Sequence, residues 1–267
     1  MKPAEFLHTH ALFSREDFTQ ALNRSGQRAP ATVTKHLQTW RRAGRLFTVR
    51  RGLYLRLAPG QTPSEVSLDP LAVASRLAPD AMLAYHTALE ALGHAQTPFE
   101  RLFFATWSKT RALRFQGREY LPVRPRAAML HAKDDFALRL ERAGLEVRVT
   151  SLERTVVDVL DRPDLAGGIE EVLRSLGSVG ALDFDSLARY ASLVARPLLT
   201  ARLGCVLEAH ARRWLTPPRL LMALEGKRPR GPVYMERRTP GRLVRRWNLV
   251  VPPDMPLAED EADGPVP

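Results

Sequence analysis

The chain has 267 residues and only one cysteine, Cys205. One cysteine cannot form an intramolecular disulfide, which excludes a small secreted domain held by disulfides and fits a reducing compartment. Cys205 lies in an apolar stretch with helical spacing. We therefore expect it to be a small buried core residue rather than a nucleophile.

Long apolar runs are also missing. The longest apolar-rich stretch, residues 187–207, is interrupted by Arg189, Arg196, Pro197 and Arg202. The first ten residues, MKPAEFLHTH, do not contain the continuous apolar segment of a signal peptide. We therefore expect no membrane span, no targeting segment and a cytoplasmic protein.

Acidic residues are absent between Asp17 and Glu65. The same interval contains many cations, namely Arg24, Arg28, Lys35, Arg41, Arg42, Arg45, Arg50, Arg51 and Arg56. The whole chain is basic as well, with 40 Lys and Arg against 29 Asp and Glu and a net charge of +11. Because such a stretch repels itself, it indicates an anionic partner, and the phosphate backbone of a nucleic acid is one.

An amphipathic helix is predicted at about residues 30–43. Val33, Leu37 and Trp40 fall on one face of a 3.6-residue wheel and form an apolar stripe. A proline at the first position and a glycine after the last are typical helix boundaries. The opposite face and its flanks are polar and carry Thr34, Lys35, Gln38, Arg41 and Arg42.

A β-hairpin is predicted directly after this helix. Its two apolar runs, residues 46–49 and 53–57, are joined by Arg50, Arg51 and a glycine that permits the turn. Upstream, Ser14 suits the N-cap of a helix over 14–24, and residues 3–13 suit a first helix. Helix, turn, helix and hairpin follow in the order of a winged helix-turn-helix.

This motif order leads to a prediction of double-stranded DNA binding. Lys35, Gln38 and Arg42 would face the major groove, and Arg50 and Arg51 would lie over phosphates or in the minor groove. The full predicted DNA-binding set is Thr34, Lys35, Gln38, Arg41, Arg42, Arg45, Arg50 and Arg51. The alternative is a solvated basic helix beside a surface hairpin. Motif order, face separation and the absence of acids together favour DNA binding.

The predicted fold class is α+β, with an N-terminal winged helix-turn-helix followed by a larger mixed α/β domain. We place the DNA-binding domain at 1–57, a linker with three prolines at 58–70, and the second domain at 71–251. The remaining residues, 252–267, form an acidic, proline-rich tail that we expect to be disordered. In the second domain we predict helices at 71–77, 81–92, 151–160, 169–176, 186–193 and 200–214, and strands at 102–105, 113–115, 120–123, 145–150 and 247–251.

Few residues of the second domain suggest chemistry. Arg154 and Asp158 are spaced to pair along one helix, and the alternative to a functional pair is an ordinary surface pair worth a few tenths of a kcal/mol. His86 is predicted to be a satisfied helix histidine rather than a metal ligand, because no second ligand has metal spacing. Residues 177–185 resemble the metal-binding signature of nucleotidyltransferases, but Ser178 and Asp183 are too close in sequence for the intervening helix.

We therefore predict no catalytic residue, no metal site and no cofactor, and we expect Asp183 and Asp185 to cap the following helix. An enzyme acting on nucleic acid is the weakest alternative, because the acidic clusters at residues 134–135 and 183–185 have no Lys or His at a recognisable catalytic spacing. Another alternative is a regulator whose second domain senses a ligand. It predicts a pocket with convergent polar groups.

Four segments together resemble the AbiEi antitoxins, the transcriptional regulators of a bacterial abortive-infection system against phage. They are GRLFTVRRGLYLRL (44–57), AMLAYHTALEALGHAQ (81–96), SLERTVVDVLDRPDLAGGIEEVLRSL (151–176) and RRWNLVVP (245–252). The segment ERTVVDVLDRPDLAGG is the most specific of these, whereas the hairpin is shared with many winged-helix proteins.

This resemblance implies an antitoxin of a type IV toxin–antitoxin system, non-enzymatic and built from two domains. Its winged helix would bind inverted repeats upstream of its own operon and repress it. Its second domain would counteract a nucleotidyltransferase toxin without a stable complex. We further expect a basic surface for antitoxicity or additional DNA contact, with a generally basic surface as the alternative; its residues are Lys109, Arg111, Arg114, Arg118, Arg212 and Arg213.

Overall fold

The computed structural model describes residues 2–24, 26, 30–129, 135–236 and 240–253. The predicted tail lies outside the described residues from position 254 onward, as do Arg28 and Asp134. The N-terminal elements are α1 (Pro3–Thr9), β1 (Leu12–Ser14), α2 (Arg15–Arg24), α3 (Pro30–Arg42), β2 (Leu46–Arg50) and β3 (Leu53–Arg56). The three strands pair antiparallel in the order β1-β3-β2.

Local sequence signals explain the positions of α2 and α3. Ser14 and Asp17 cap α2 reciprocally, since the Asp17 amide donates to Ser14 Oγ at 3.0 Å and the Ser14 amide donates to Asp17 Oδ2 at 2.8 Å. In α3 the predicted stripe of Val33, Leu37 and Trp40 is buried. These side chains pack with apolar residues of α1 and α2 in one small core.

The N-terminal sheet lies between this helical core and the second domain. Phe13 and Leu46 face the helices, whereas Leu53 and Leu55 share an apolar cluster with residues of the second domain such as Leu71. The predicted linker residues 58–70 therefore connect two parts of the chain that are packed against each other. This packing fixes the position of α3 relative to the second domain.

The second domain begins with α4 (Pro70–Ser75), β4 (Met82–Leu83) and α5 (His86–Ala91). Five further strands follow: β5 (Arg101–Ala105), β6 (Leu113–Phe115), β7 (Arg118–Val123), β8 (Ala137–Arg142) and β9 (Leu145–Thr150). They form a six-stranded mixed sheet in the order β6-β7-β5-β4-β9-β8. The central pairs β5–β7 and β4–β9 are parallel, and the others are antiparallel.

A group of helices follows the sheet: α6 (Leu152–Asp161), α7 (Ile169–Gly177), α8 (Phe184–Val194), α9 (Pro197–Ala209), α10 (Ala211–Trp214) and α11 (Pro218–Glu225). A small sheet closes the chain, with β10 (Val233–Tyr234), β11 (Arg242–Val244) and β12 (Leu249–Val251) in the order β10-β12-β11. Helices and small sheet share a large apolar core that includes Trp214 and Trp247. The chain thus has the α+β class that its sequence predicts.

Residues 81–92 differ from the sequence-based prediction, and β10, β11 and α11 were not predicted. Residues 81–92 were predicted as one helix, but the structure has strand β4 and then a sharp bend at Tyr85, with φ 56° and ψ −133°, before the short helix α5. The prediction was wrong because β4 is buried on both faces at the centre of the sheet, so its apolar residues have no alternating pattern. Strand β8 was not predicted.

Smaller differences concern helix ends. The predicted helix 200–214 is divided into α9 and α10 around His210. The first predicted helix, 3–13, ends at Thr9, and its last residues form β1. Within the described ranges no helix is both long and apolar enough to cross a membrane.

Candidate nucleic-acid interface

The polar face of α3 is open to solvent. Lys35, Gln38, Arg41 and Arg42 are exposed, whereas the apolar stripe on the opposite face is buried. Within the part of the chain that the structure describes, none of these three cations has an acidic partner. The face is therefore a row of free positive charge with one amide, and it can bind an anionic partner without first breaking an ion pair.

Thr34, one of the predicted DNA-binding residues, is hydrogen-bonded within the N-terminal part. Arg15, at the start of α2, donates from Nη2 to Thr34 Oγ1 at 2.8 Å. The Thr34 hydroxyl in turn donates to the carbonyl of Pro30 at 3.1 Å. This chain of hydrogen bonds joins the N-terminal turns of α2 and α3 and holds the exposed helix at a fixed angle. Thr34 therefore contributes to the position of α3.

A groove runs beside the C-terminal half of α3. It has a volume of about 550 Å³ and is lined by Gln38, Arg41, Arg42, Leu46, Phe47 and Thr48. One wall is thus the basic face of the helix, and the other is β2, the outer strand of the N-terminal sheet. Arg45 is exposed at the connection between them. The groove combines cationic and amide donors with an apolar wall.

The two arginines of the hairpin differ in their surroundings. Arg51 lies at the turn and is exposed, as predicted. Arg50 is half-buried, and its Nη1 donates to the carbonyl of Leu77 at 2.9 Å. Arg50 thus connects the hairpin to the end of the first helical segment in the second domain. The structure gives Arg50 an anchoring contact, and its predicted contact with phosphate stays a prediction.

The second domain also contacts the hairpin from the side. The ring of Phe47 on β2 stacks on Phe115 of β6 with 6.2 Å between centroids and 13° between planes. The neighbouring Gln116 donates from Nε2 to the carbonyls of Pro63 and Val66 at 2.6 and 2.8 Å. The β6–β7 hairpin is therefore held against both the N-terminal sheet and the predicted linker.

The basic positions predicted in the second domain lie on three elements and have different partners. Lys109 and Arg111 are exposed in the loop before β6. Arg114 lies 3.4 Å from Glu119, and Arg118 donates to the carbonyl of Phe99 at 3.1 Å. Arg212 and Arg213 are exposed on α10. Among the described residues, Lys109, Arg111, Arg212 and Arg213 thus have no acidic partner, whereas Arg114 is in a surface ion pair and Arg118 is bonded to the backbone.

The predicted pair of Arg154 and Asp158 forms, and it belongs to a buried polar cluster in the second domain. Arg154 Nε lies 3.2 Å from Asp158 Oδ2, and both residues are buried, at 3% and 9% exposure. Tyr190 donates its hydroxyl to Asp158 Oδ1 at 2.6 Å. The predicted pairing is thus confirmed, whereas the alternative of a surface pair is wrong. Burial raises the pKa of Asp158, and the Arg154 guanidinium opposes that effect.

His86 is fully buried. Its ring stacks on Phe99 at 3.7 Å between centroids, and its Nε2 lies 3.8 Å from Glu171 Oε1, too far for a hydrogen bond. Neither ring nitrogen has a hydrogen-bond partner within the described chain, so the expected satisfied histidine is not found. Burial lowers the pKa of His86, which favours the neutral ring.

Asp183 caps α8 as predicted, because its Oδ1 accepts from the amides of Asp185 and Ser186 at 3.0 and 3.1 Å. Asp185 does not cap the helix but lies in its first turn, beside Arg219 at 3.8 Å. The cap accounts for Asp183, and a position in the first turn, where the helix dipole favours an acid, suits Asp185. Across the described ranges, no group of three or more His, Cys, Asp or Glu side chains is placed to hold a metal ion.

Comparisons with known proteins bear on the fold alone. No family model matches the chain, and no curated protein matches it in sequence. A crystal structure of the RV2827C protein from Mycobacterium tuberculosis is similar in fold, with a TM-score of 0.58 and 19% sequence identity. The match covers 93% of this chain and 89% of the other. The fold therefore extends over nearly the whole length of both proteins.

Proposed function

We propose that this protein is a repressor that binds operator DNA through α3 and the hairpin that follows it. The observation that carries the proposal is the exposed face of Lys35, Gln38, Arg41 and Arg42, which has no acidic neighbour among the described residues. A face of this kind is complementary to the phosphates and base edges of the major groove. Lys35 and Arg42 would contact bases, whereas Arg45 and Arg51 would contact phosphates.

The topology of the N-terminal part supports the proposal. Three helices are combined with an antiparallel sheet in which β1 pairs with β3, and α3 leads directly into the β2–β3 hairpin. Winged helix-turn-helix domains have this order and insert their second motif helix into the major groove. The arrangement leaves α3 outermost, where a duplex can reach it.

We propose further that the protein is the antitoxin of a type IV toxin–antitoxin system and represses its own operon. The support for this step is the resemblance of residues 44–57, 81–96, 151–176 and 245–252 to the AbiEi antitoxins. The second domain would then counteract a nucleotidyltransferase toxin encoded beside it. The exposed cations Lys109, Arg111, Arg212 and Arg213 are the candidates for that activity.

A binding experiment tests the DNA step. Purified full-length protein is titrated into labelled DNA from upstream of its gene and into a scrambled duplex of equal length, at several salt concentrations. We expect tighter binding to the upstream DNA, with affinities for both duplexes falling as salt rises because counterions are released. Equal affinity for the two duplexes at every salt concentration would exclude a specific operator in that DNA.

A growth experiment tests the antitoxin step separately. The neighbouring reading frame is induced alone, with this full chain, and with the variant that combines Lys35→Ala and Arg42→Ala. We expect growth arrest by the neighbour and rescue by both forms, because the variant keeps the second domain intact. A harmless neighbour, or a toxic one that is never rescued, would remove the antitoxin role and leave a DNA-binding regulator.

A further inference from the structure

The outer edge of the six-stranded sheet is formed by β8, residues 137–142. Among the described residues β8 pairs with β9 alone, and no other backbone hydrogen bond reaches its outer side. The strand has six residues, and its sequence is ALRLER. An edge of this length presents a row of free N–H and C=O groups that can pair with another strand.

The turn between β8 and β9 determines which residues present those groups. Arg142 pairs with Leu145, so Ala143 and Gly144 form a two-residue hairpin loop, and both have positive φ, at 51° and 72°. The two residues that flank such a loop exchange backbone hydrogen bonds, and hydrogen-bonded and non-hydrogen-bonded residue pairs then alternate along the hairpin. The backbone groups of Leu140 therefore point toward β9. Those of Arg139 and Glu141 point outward from the sheet.

We propose that β8 pairs antiparallel with β8 of a second copy of this chain, with the two-fold axis at Leu140. In this register Arg139 of one copy lies opposite Glu141 of the other, and the reverse pair forms across the axis. Both residues present their backbone groups outward, so each pair can exchange two backbone hydrogen bonds. The sheets of the two copies become one continuous sheet.

Charge favours this register over its neighbours, with Arg139, which also lies 2.6 Å from Glu146 of β9 in its own chain, placed between two acids. Shifting the axis to Arg139 or to Glu141 would place two like charges directly opposite each other, which destabilises a cross-strand pair. With the axis at Leu140, both charged pairs are of opposite sign, and the two Leu140 side chains meet in a non-hydrogen-bonded pair. The side chain of Leu138, 42% exposed, lies on the same face of the strand and is partly covered by the second copy.

The association is independent of DNA, but it would match an operator made of inverted repeats. A two-fold pair of chains presents two α3 helices related by the same symmetry as two half-sites. Two copies of the sheet also fix the distance between the half-sites. The partner is thus a second copy of this chain, and the surface is the strand edge that Arg139 and Glu141 flank.

The test measures self-association of the full-length protein by sedimentation over about 1 to 100 µM, where weak specific dimers dissociate. We expect wild type to dimerise and Arg139→Glu or Glu141→Arg to weaken dimerisation at least about tenfold, because each places like charges across the axis. A mixture of the two variants restores opposite charges at both pairs and should dimerise like wild type. Thermal melts confirm that each variant is folded.

A crosslink tests the register itself. In Leu140→Cys the new thiols oppose each other with Cα atoms about 4.5 Å apart, close enough for a disulfide, so oxidation with copper–phenanthroline should give a covalent dimer. Leu138→Cys is the matched control, because residue 138 lies opposite Arg142 of the other copy and not its own equivalent. The natural Cys205 does not interfere, since it is buried and burial raises the pKa of its thiol to about 12.

Three results would overturn the proposal. Wild type could remain monomeric over the whole concentration range, or the dimer could be unaffected by both charge reversals. Crosslinking at position 138 as efficient as at position 140 would exclude this register. Dimerisation of the mixed variants, together with monomers for each variant alone, is the result that the proposal predicts.

Discussion

The Arg154 guanidinium and the Asp158 carboxylate form an ion pair inside the second domain, with 3.2 Å between Nε and Oδ2. The second carboxylate oxygen accepts the Tyr190 hydroxyl, so Asp158 has a partner on each side. Arg154 also lies over the Tyr190 ring, with its Cζ 5.4 Å from the ring centroid. The cluster joins α6 to α8 at a point where an uncompensated charge would be costly.

Asp158→Asn should therefore be strongly destabilising. The change keeps the size of the side chain but leaves the Arg154 guanidinium buried without a counter-charge, and we expect a loss of about 3 kcal/mol or more in the free energy of unfolding. Urea denaturation followed by circular dichroism measures it. Glu170→Gln is the control, because Glu170 and Arg174 have the same spacing on an exposed helix face and lie 3.8 Å apart. A similar small effect at both sites would contradict the structural role given to Asp158.

Gly204→Ala should destabilise the large core. A Cβ atom at this position in α9 would lie 2.2 Å from the Trp247 ring, which is fully buried. The ring cannot move without disturbing its Nε1 hydrogen bond to Glu208, at 2.7 Å. We expect a loss of about 1–3 kcal/mol by overpacking, measured by thermal or urea unfolding.

Gly177→Ala is the matched control for that change. Gly177 ends α7 and has open space around the position of a Cβ. The free energy of unfolding of this variant should differ from wild type by less than about 1 kcal/mol, and it should increase if alanine favours the helix. Equal tolerance of alanine at the two glycines would show that α9 and Trp247 are less closely packed than described.

Stability should fall as the pH is lowered from about 7 to about 5, below the ordinary histidine pKa near 6.5. Burial lowers the pKa of His86 below the ordinary value of 6.5, and it also lowers the pKa values of His94 and His210. The unfolded chain therefore binds more protons than the folded one below about pH 6.5, and each histidine removes up to about 1.4 kcal/mol per pH unit there. The free energy of unfolding, measured by urea denaturation at each pH, reports this slope.

His86→Phe separates the contribution of His86 from the others. Phenylalanine can keep the flat contact with Phe99 but cannot be protonated, so the variant should lose stability less steeply over the same pH range. His94→Gln is the comparison at a more exposed site, which is bonded to Ser178 at 3.0 Å. An unchanged slope in His86→Phe would show that protonation of His86 is not linked to unfolding.

Arg50 and Arg51 should respond differently to substitution although they are adjacent. Arg50→Ala removes the hydrogen bond to the Leu77 carbonyl and should cost about 1 kcal/mol of stability without changing the salt dependence of DNA binding. Arg51→Ala should leave stability unchanged, weaken binding to all sequences alike and reduce the salt slope by about one. Unfolding curves and titrations at several salt concentrations measure both effects. The reverse pattern would contradict the anchoring role of Arg50.

The sequence was sufficient where the signals are local. The stripe of Val33, Leu37 and Trp40, the Ser14 cap and the Asp183 cap each depend on residues within one or two turns, and the structure contains all three. The opposite charges of β8 alternate with Leu138 and Leu140, a period of two that indicates a strand. This local signal is enough to indicate β8 from the sequence.

The remaining features depend on distant partners. Arg50 binds a carbonyl 27 positions away, and Asp158 binds a tyrosine 32 positions away. A helix wheel cannot distinguish a surface pair from a buried one, because burial depends on which elements pack over that face. For the same reason the sequence assigns the apolar residues 81–85 to a helix. Strand β4 forms there because the segment lies between β5 and β9 in the sheet.

The most direct test of the central claim measures DNA affinity by fluorescence anisotropy for wild type, Lys35→Ala and Arg42→Ala, on upstream and scrambled duplexes. Arg174→Ala, an exposed arginine on α7, is the control. We predict that each α3 variant loses about 1–3 kcal/mol on the upstream duplex and much less on the scrambled one, because base contacts are lost. Unchanged affinity of both variants for the upstream duplex would contradict the role of α3 in DNA recognition.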